Sequence, residues 1–278
     1  MRGKILVEGR FLVKEKFLAI VVFLAVWAVL TLGAGYAEAL EKIRLGVDGG
    51  PHTEIAEVVR EIALANGLEV EIVAFADFVL PNAALADGDI DVNSFQHLPY
   101  LQAMIEDRGY RLVPIGNTVL MPMAGYSKRL KTLDELKDGM SVTIPNDPSN
   151  GGRALLLLAS LGLIELDPGA GILPSVLDIT RNDHGLKFTE LDAAQLPRAL
   201  DDTDLAVINT NYALEVGMSP SRDALFVESK DSPYVNVIVV REDDKERPEF
   251  KVLVESYQNE EVAKFIEERY QGALLAGW

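Results

Sequence analysis

The sequence predicts an α/β fold built from two sets of strands and helices, and three observations support this prediction. Short apolar strand patterns alternate with helical patterns from residue 43 to residue 120. The alternation breaks near residues 121–130, and a second alternating set follows. An apolar strand pattern at 234–240 then precedes two terminal helices, and we expect this strand to return to the first sheet. Such an order predicts two parallel or mixed sheets covered by helices, in two domains joined by two crossovers.

The first set of elements is predicted from its apolar spacing. Apolar residues alternate in Ile43–Val47, as in a strand, and recur at helical spacing from Ile55 to Ala63. Glycines at the ends of the helical patterns act as stops. We expect strands at 43–47, 68–74, 90–95 and 111–120, helices at 55–63 and 98–108, and a short helix or loop at 78–86.

The second set follows the break and uses the same signals. A small helix at 133–136 precedes it, and proline and glycine between residues 165 and 174 indicate a loop. We expect strands at 141–144, 186–191, 205–209, 225–227 and 234–240, and helices at 154–161, 193–200, 248–257 and 262–270.

Composition and charge limit the possible functions. The chain of 278 residues is 49% hydrophobic and 25% charged, which is ordinary for a globular protein with a large core. Its formal net charge of -17 argues against nucleic acid and anionic lipid surfaces as partners. Since cysteine is absent, disulfides, thiolate catalysis and cysteine-ligated zinc are excluded. Histidine and acidic residues show no metal-site spacing, and no dinucleotide or P-loop motif occurs, so no cofactor is expected.

The first 39 residues differ in character from the rest. Basic residues precede an uncharged apolar run from Phe17 to Leu32, and Ala37-Glu38-Ala39 matches a small-residue cleavage site. This pattern is typical of a signal peptide cleaved before Leu40. A retained membrane anchor is the alternative, although the run is slightly short for a span of about 20 residues. Both readings predict an exported protein, in the periplasm or on the outer face of the cytoplasmic membrane.

The segment Asn146–Arg153 is the strongest local candidate for a binding site. An apolar strand pattern leads into it and an apolar helical pattern leads out, so it predicts a helix start. Unpaired N–H groups at a helix start favour small anions, and an arginine fork matches a carboxylate. Two glycines allow close approach of the backbone. The segment therefore indicates a receptor for a small carboxylic acid, and an ordinary loop with a surface arginine is the alternative.

Polar or aromatic residues also follow several other predicted strands. Ligands of α/β proteins bind beyond the carboxyl ends of strands and in clefts between domains. The strand ends concerned are Asp48–Gly50, Phe95–His97, Gly116–Thr118, Asn146–Arg153 and Asn209–Asn211.

A series of motifs along the chain resembles one protein family. The motifs are Gly50-Pro51-His52, Phe95-Gln96-His97 with Pro99-Tyr100-Leu101, Asp107–Tyr110, Pro145–Asn150 with Arg153, Gln195–Arg198, Val207–Thr210 and Ser232–Asn236. In this order they are similar to the methionine-binding lipoproteins of bacterial ABC importers, the NlpA and MetQ type. The resemblance covers essentially the whole chain after residue 39.

The resemblance implies a two-lobed periplasmic-binding-protein fold of type II, with a ligand cleft between the lobes. The first lobe would comprise residues 40–122 and 230–278, and the second lobe residues 123–229. It also implies a monomer that captures L-methionine or a related amino acid and delivers it to an ABC permease with its ATPase. No catalysis is implied.

Ten site residues follow from the strand ends and the resemblance together. Arg153 would bind the ligand carboxylate, and asparagines would orient the amino-acid backbone. Aromatic rings and a histidine would contact the thioether, since sulfur packs well against rings. The predicted residues are Phe78, Phe95, His97, Tyr100, Asn117, Asn150, Arg153, Asn209, Tyr234 and Asn236.

The sequence departs from the family pattern at two points, and two alternative functions stay open besides the exact ligand. Members usually carry a lipidated cysteine after the signal peptide, so lipid anchoring at that position is not expected here. Phe78 stands where members often have tyrosine, which leaves the ligand open between methionine, another apolar amino acid and a methionine-containing peptide. An enzyme acting on a small carboxylic acid is one alternative, with His97 as its only obvious acid or base. A surface interaction protein is another.

Overall fold

A computed structural model describes residues 41–278, so the predicted signal peptide or anchor at residues 1–39 lies outside the described residues. The strands of this part are β1 (Glu41–Asp48), β2 (Leu68–Phe75), β3 (Val92–His97), β4 (Leu112–Leu120), β5 (Ala124–Tyr126), β6 (Ser141–Pro145), β7 (Glu165–Leu166), β8 (Ile179–Arg181), β9 (Lys187–Leu191), β10 (Leu205–Ile208), β11 (Phe226–Val227), β12 (Val235–Arg241) and β13 (Leu275–Ala276).

The α-helices cover the faces of the sheets that these strands form. They are α1 (Pro51–Ala65), α2 (Leu80–Asp87), α3 (Leu98–Arg108), α4 (Pro148–Ser160), α5 (Leu196–Ala199), α6 (Thr210–Glu215), α7 (Pro220–Asp223), α8 (Pro248–Tyr257) and α9 (Glu260–Tyr270). Between residues 41 and 278, none of the helices combines the length and the apolar character that crossing a membrane requires.

Two mixed sheets form the two lobes. The first sheet has the order β13-β4-β12-β3-β1-β2, and the second has the order β11-β5-β10-β6-β9. Strand β12 runs antiparallel between β3 and β4, so the chain returns to the first sheet as the sequence predicts. The changes of sheet lie between β4 and β5 and between β11 and β12. The predicted lobe boundaries fall inside these two connections and remain a prediction.

Each sheet carries apolar clusters, which explains why its strands are predominantly apolar. In the first lobe, Ile43, Leu45 and Val240 pack with Phe250 of α8. A second cluster of that lobe contains Leu85 and Leu101. In the second lobe, one cluster joins β6 to α4, and another joins β10 to α5 and α6.

The sequence misses the short elements. Residues 124–126 lie in the predicted break but form β5, which pairs antiparallel with β10. Residues 165–166 lie in the predicted loop but form β7, which pairs with β8. The predicted helix at 193–200 is a 3-10 turn followed by the four-residue α5. Strands of two or three residues are too short for a period-2 pattern, so their pairing partners define them.

The start of α4 differs from expectation in its chemistry. Asp147 caps the helix, and its carboxylate accepts from the backbone N–H of Asn150 at 2.8 Å. The Asp147 side chain therefore already occupies the helix start that the sequence analysis proposes for a small anion. The glycines serve packing within the lobe: a Cβ on Gly151 would lie 2.8 Å from the carbonyl oxygen of Pro145, and one on Gly152 would lie 3.0 Å from Pro174.

We expect Gly151→Ala to destabilise the protein by about 1–3 kcal/mol, because the new methyl group meets a backbone carbonyl that cannot move aside. This cost outweighs the gain of about 1 kcal/mol that alanine brings to a helix interior. Urea unfolding measures the difference. Ser160→Ala, at the exposed end of the same helix, should stay within about 0.5 kcal/mol of the parent. A Gly151→Ala protein as stable as the parent would contradict the packing argument.

Candidate functional site

A pocket lies between the two lobes, beyond the carboxyl ends of β1, β3, β6 and β10. The space between its lining atoms, part of which is open to solvent, is about 360 Å³. Its lining comes from both lobes and consists of His52, Phe78, Phe95, Gln96, His97, Tyr100, Met121, Asn150, Arg153, Asn209, Thr210, Asn211 and Asn236.

One part of the pocket is aromatic. The rings of Phe78, Phe95 and Tyr100 lie about 6 Å apart in centroid distance, with Tyr100 edge-on to the other two. The Tyr100 hydroxyl donates to the carbonyl oxygen of Phe78 at 2.8 Å and so fixes the segment before α2. Tyr212 of the second lobe approaches Phe78 at 4.9 Å. This part can hold an apolar or thioether side chain.

His97 connects the lobes as a neutral ring. It is the N-cap of α3, and its Nδ1 accepts from the backbone N–H of Tyr100 at 3.2 Å. The ring proton therefore sits on Nε2, which donates to Asn150 Oδ1 at 3.1 Å. Burial, together with the positive charge of Arg153, lowers the pKa of His97 to about 3. His97 thus serves as a hydrogen-bond donor throughout the physiological pH range.

Arg153 reaches the pocket but is already paired on one side. Its Nε and Nη2 donate to the two carboxylate oxygens of Glu228 at 2.9 and 2.5 Å, and Nη2 also donates to the Met121 carbonyl oxygen. The Tyr234 ring stacks 4.3 Å from the guanidinium carbon. Within residues 41–278, Nη1 donates no hydrogen bond. A carboxylate would therefore meet Nη1 rather than the bidentate fork that the sequence suggests.

The asparagines of the pocket present oxygen atoms. Asn209 donates from Nδ2 to Asn150 Oδ1 at 2.8 Å, and its own Oδ1 is buried without a partner among residues 41–278. Asn236 donates from Nδ2 to the Phe95 carbonyl oxygen at 3.3 Å and to His52 Nε2 at 2.7 Å. Both amide nitrogens already donate within the chain, whereas the two carbonyl oxygens accept no hydrogen bond among residues 41–278. They are acceptors, which suit a protonated amine.

Two of the ten predicted site residues are not part of the lining. Asn117 is exposed on β4, where its side chain donates to the carbonyl oxygen of Gly277 at 3.3 Å. Tyr234 is buried behind Arg153 and lies 5.0 Å from the His97 ring, so it supports lining residues. The other eight predicted residues come together in the pocket.

The sequence prediction omits five lining residues: His52, Gln96, Met121, Thr210 and Asn211. Gln96, Thr210 and Asn211 lie within the strand-end segments that the sequence analysis marks, and His52 follows one of them after Pro51, so that signal could have found these four residues. Gln96 belongs to a buried amide cluster, in which it donates to Asn82 Oδ1 at 2.6 Å. Residues 41–278 contain no group of three or more His, Asp and Glu side chains placed to hold a metal ion.

We expect His97 to make the folded protein less stable below pH 7. Between pH 6.5 and about 3 the unfolded chain binds a proton on His97 that the folded protein does not bind, so stability falls as the pH falls. From pH 7 to pH 5 this loss amounts to about 2 kcal/mol. Urea unfolding at both pH values should show that loss in the parent and not in His97→Asn, which retains a capping side chain. Equal pH dependence of the two proteins would mean that the folded protein takes up the proton.

Known proteins match the chain over nearly all of the described residues. D-methionine-binding lipoprotein MetQ of Escherichia coli K12 is 52% identical over 239 residues, which cover 85% of this chain and 88% of that relative. A nutrient-binding protein of Burkholderia cenocepacia, solved bound to methionine, is 48% identical with a TM-score of 0.84, over 85% of this chain and 100% of that one. A periplasmic substrate-binding protein of an ABC transporter from Coxiella burnetii is 48% identical with a TM-score of 0.82, over 84% and 100%.

These structural matches confirm the predicted two-lobed α/β fold, since this chain aligns with the full length of both solved binding proteins at TM-scores of 0.84 and 0.82. The match to the family by sequence covers a similar share of this chain. A model of the NlpA lipoprotein family matches residues 43–278, that is, all but two of the described residues. The resemblance in the motifs is therefore confirmed, and this chain belongs to the NlpA lipoprotein family.

Proposed function

We propose that this protein is the substrate-binding component of an ABC importer and that it captures methionine or a close relative between its lobes. The observation that carries the proposal is the pocket itself, which combines an aromatic part, free amide oxygens and an arginine nitrogen within about 360 Å³. A relative in Escherichia coli is named for D-methionine, and a solved relative holds methionine.

The three parts of an amino acid match three parts of the pocket. The side chain would lie among Phe78, Phe95 and Tyr100, where a thioether gains contact with ring edges. The ammonium group would meet the amide oxygens of Asn209 and Asn236. The carboxylate would accept from Arg153 Nη1, a charge-assisted hydrogen bond.

Lobe closure provides the mechanism of capture. Several contacts join the lobes across the pocket: the His97–Asn150 hydrogen bond, the Phe78–Tyr212 ring contact and the Asn211–Asp48 hydrogen bond. A ligand that touches both lobes would favour this closed arrangement over an open one, which is hinge closure. Closure also removes water, so each polar contact to the ligand becomes stronger.

Residues of the pocket do not favour catalysis. His97 is the only acid or base that the sequence suggests, and both of its ring nitrogens are engaged within the chain. A general base needs a free position within reach of a substrate proton. The relatives above are named for binding or transport. We therefore propose release of the unchanged ligand to a permease driven by an ATPase, with an exported monomer as the carrier.

The first test is mass spectrometry of small molecules released from the purified protein by denaturation, followed by calorimetric titration of the emptied protein with L- and D-methionine. We expect methionine or a close relative at about one molecule per chain, and saturable binding of at least one methionine enantiomer. Recovery of a different class of molecule, or an empty protein that binds neither enantiomer, would overturn the proposal.

A second test compares two asparagines that the sequence alone cannot distinguish. Asn209→Ala removes an oxygen that would accept from the ammonium group, and such hydrogen bonds to charged groups contribute about 1.5–3 kcal/mol. We therefore expect methionine affinity to fall about 10- to 100-fold by calorimetry. Asn117→Ala, whose side chain is exposed on β4 outside the pocket, should leave the affinity unchanged. Equal losses in both variants would place the ligand elsewhere.

A further inference from the structure

A buried carboxylate behind the pocket lies where the two lobes meet. Asp48 ends β1, is fully buried and is not a lining residue. Its Oδ2 accepts from Nδ2 of Asn211 at 2.6 Å, and Asn211 lies in α6 of the second lobe. Glu215 of the same helix sits over the turn after β1, since a Cβ on Gly49 would lie 2.7 Å from Glu215 Oε1. Helix α6 therefore packs directly against the segment that carries Asp48.

The hydrogen bonds next to Asp48 have a fixed direction. Nδ2 of Asn236 lies beside the Phe95 carbonyl oxygen, an acceptor, so this position must be the amide nitrogen. His52 Nε2, 2.7 Å from the same nitrogen, must then accept. The ring proton of His52 is therefore on Nδ1, which is in close contact with Asp48 Oδ1; neither atom has any other polar partner among residues 41–278. The result is a chain of four side chains that begins in the second lobe and ends at the Asn236 oxygen in the pocket.

No lysine or arginine of residues 41–278 pairs with Asp48. Its side-chain partners are the amide of Asn211 and the ring of His52, whose Nε2 accepts from Asn236 in the arrangement above. Arg153, the cation of the pocket, is balanced by Glu228. Burying a carboxylate without a cation is costly. The closed protein thus contains a negative charge that a ligand ammonium group at the end of the chain would offset.

We infer that Asp48 is a positioning residue that makes lobe closure depend on the protonated amine of the ligand. This inference rests on the proposed function. Through His52, Asp48 holds Asn236 with its oxygen toward the amine, and through Asn211 it binds the closing lobe. Without an amine, closure buries Asp48 uncompensated, so the open form, in which water reaches Asp48, is favoured. With an amine, the ammonium charge lies at the Asn236 end of the side-chain contacts that lead back through His52 to Asp48.

The test compares methionine with γ-(methylthio)butyrate, which is methionine without its amino group, in the full-length protein. Calorimetry measures affinity, and small-angle X-ray scattering measures closure. The parent should bind methionine and close. Its affinity for the amine-free compound should be lower by at least about 100-fold. In Asp48→Asn, methionine affinity should fall about tenfold or more, while affinity for the amine-free compound is unchanged or higher. An equal fold-loss for both compounds would make Asp48 merely structural and overturn the inference.

A matched control removes a different partly buried carboxylate. Asp204 of the second lobe pairs with Arg129 and accepts from Ser141, away from the pocket. Asp204→Asn should keep the parent ratio of the two affinities, whatever its effect on stability. The nitrogen NMR spectrum of His52 gives an independent signature: Nδ1 should be protonated in the parent, and this preference should be lost in Asp48→Asn. An unchanged tautomer in the variant would contradict the inference.

A second variant covers the case in which Asp48→Asn does not fold. Asn211→Asp leaves Asp48 intact but places a second carboxylate against it when the lobes close. Methionine should then close the protein only at concentrations about tenfold higher or more. Closure at the parent concentration would overturn the inference. A parent protein that binds neither compound would instead refute the proposed function.

Discussion

The ion pair between Arg153 and Glu228 ties the pocket to both connections between the lobes. Arg153 Nη2 donates to the carbonyl oxygen of Met121, and Glu228 Oε2 accepts from the backbone N–H of Met123. The Glu228 N–H in turn donates to the Met123 carbonyl oxygen at 2.8 Å. The arginine of the pocket is thus bonded to both segments that connect the two sheets. Removing one partner of such a buried pair costs about 3–5 kcal/mol, so the arrangement is tightly constrained.

The same constraint shapes the polar part of the pocket. Arg153 donates to Glu228 from two of its nitrogens, and the amide nitrogen of Asn150 donates to Asp147. The amide nitrogen of Asn236 donates to the Phe95 carbonyl oxygen and to His52. What remains for a ligand is one arginine nitrogen and the amide oxygens of Asn209 and Asn236, because Asn150 Oδ1 already accepts from His97 and Asn209. This selection of atoms fits the carboxylate and ammonium groups of an amino acid better than a simple acid. The specificity of the pocket therefore arises from what its neighbours leave unbonded.

Much of the fold follows from local patterns, and the site follows in part. The return of residues 235–241 to the first sheet is predicted correctly, because a long apolar strand before two helices has few other places to pair. Asn117 and Asn236 both lie on β-strands, yet only Asn236 reaches the pocket. The register of β12 against β3 sets Asn236 opposite His97, whereas the Asn117 side chain lies beside the carboxyl-terminal segment at Gly277. Local sequence cannot separate the two, since strand pairing decides which edge each residue reaches.

By itself, the sequence determined the order of the longer strands and helices, the chemical inventory of the strand ends and, through its motifs, the family. Periodicity and cap chemistry are local properties, so they can be read from neighbouring residues. Only the tertiary structure decided which atoms of that inventory remain available. Glu228 lies 75 positions after Arg153, and Asn211 lies 163 positions after Asp48. Buried polar groups must find hydrogen-bond partners, and those partners come from distant segments that only folding brings together.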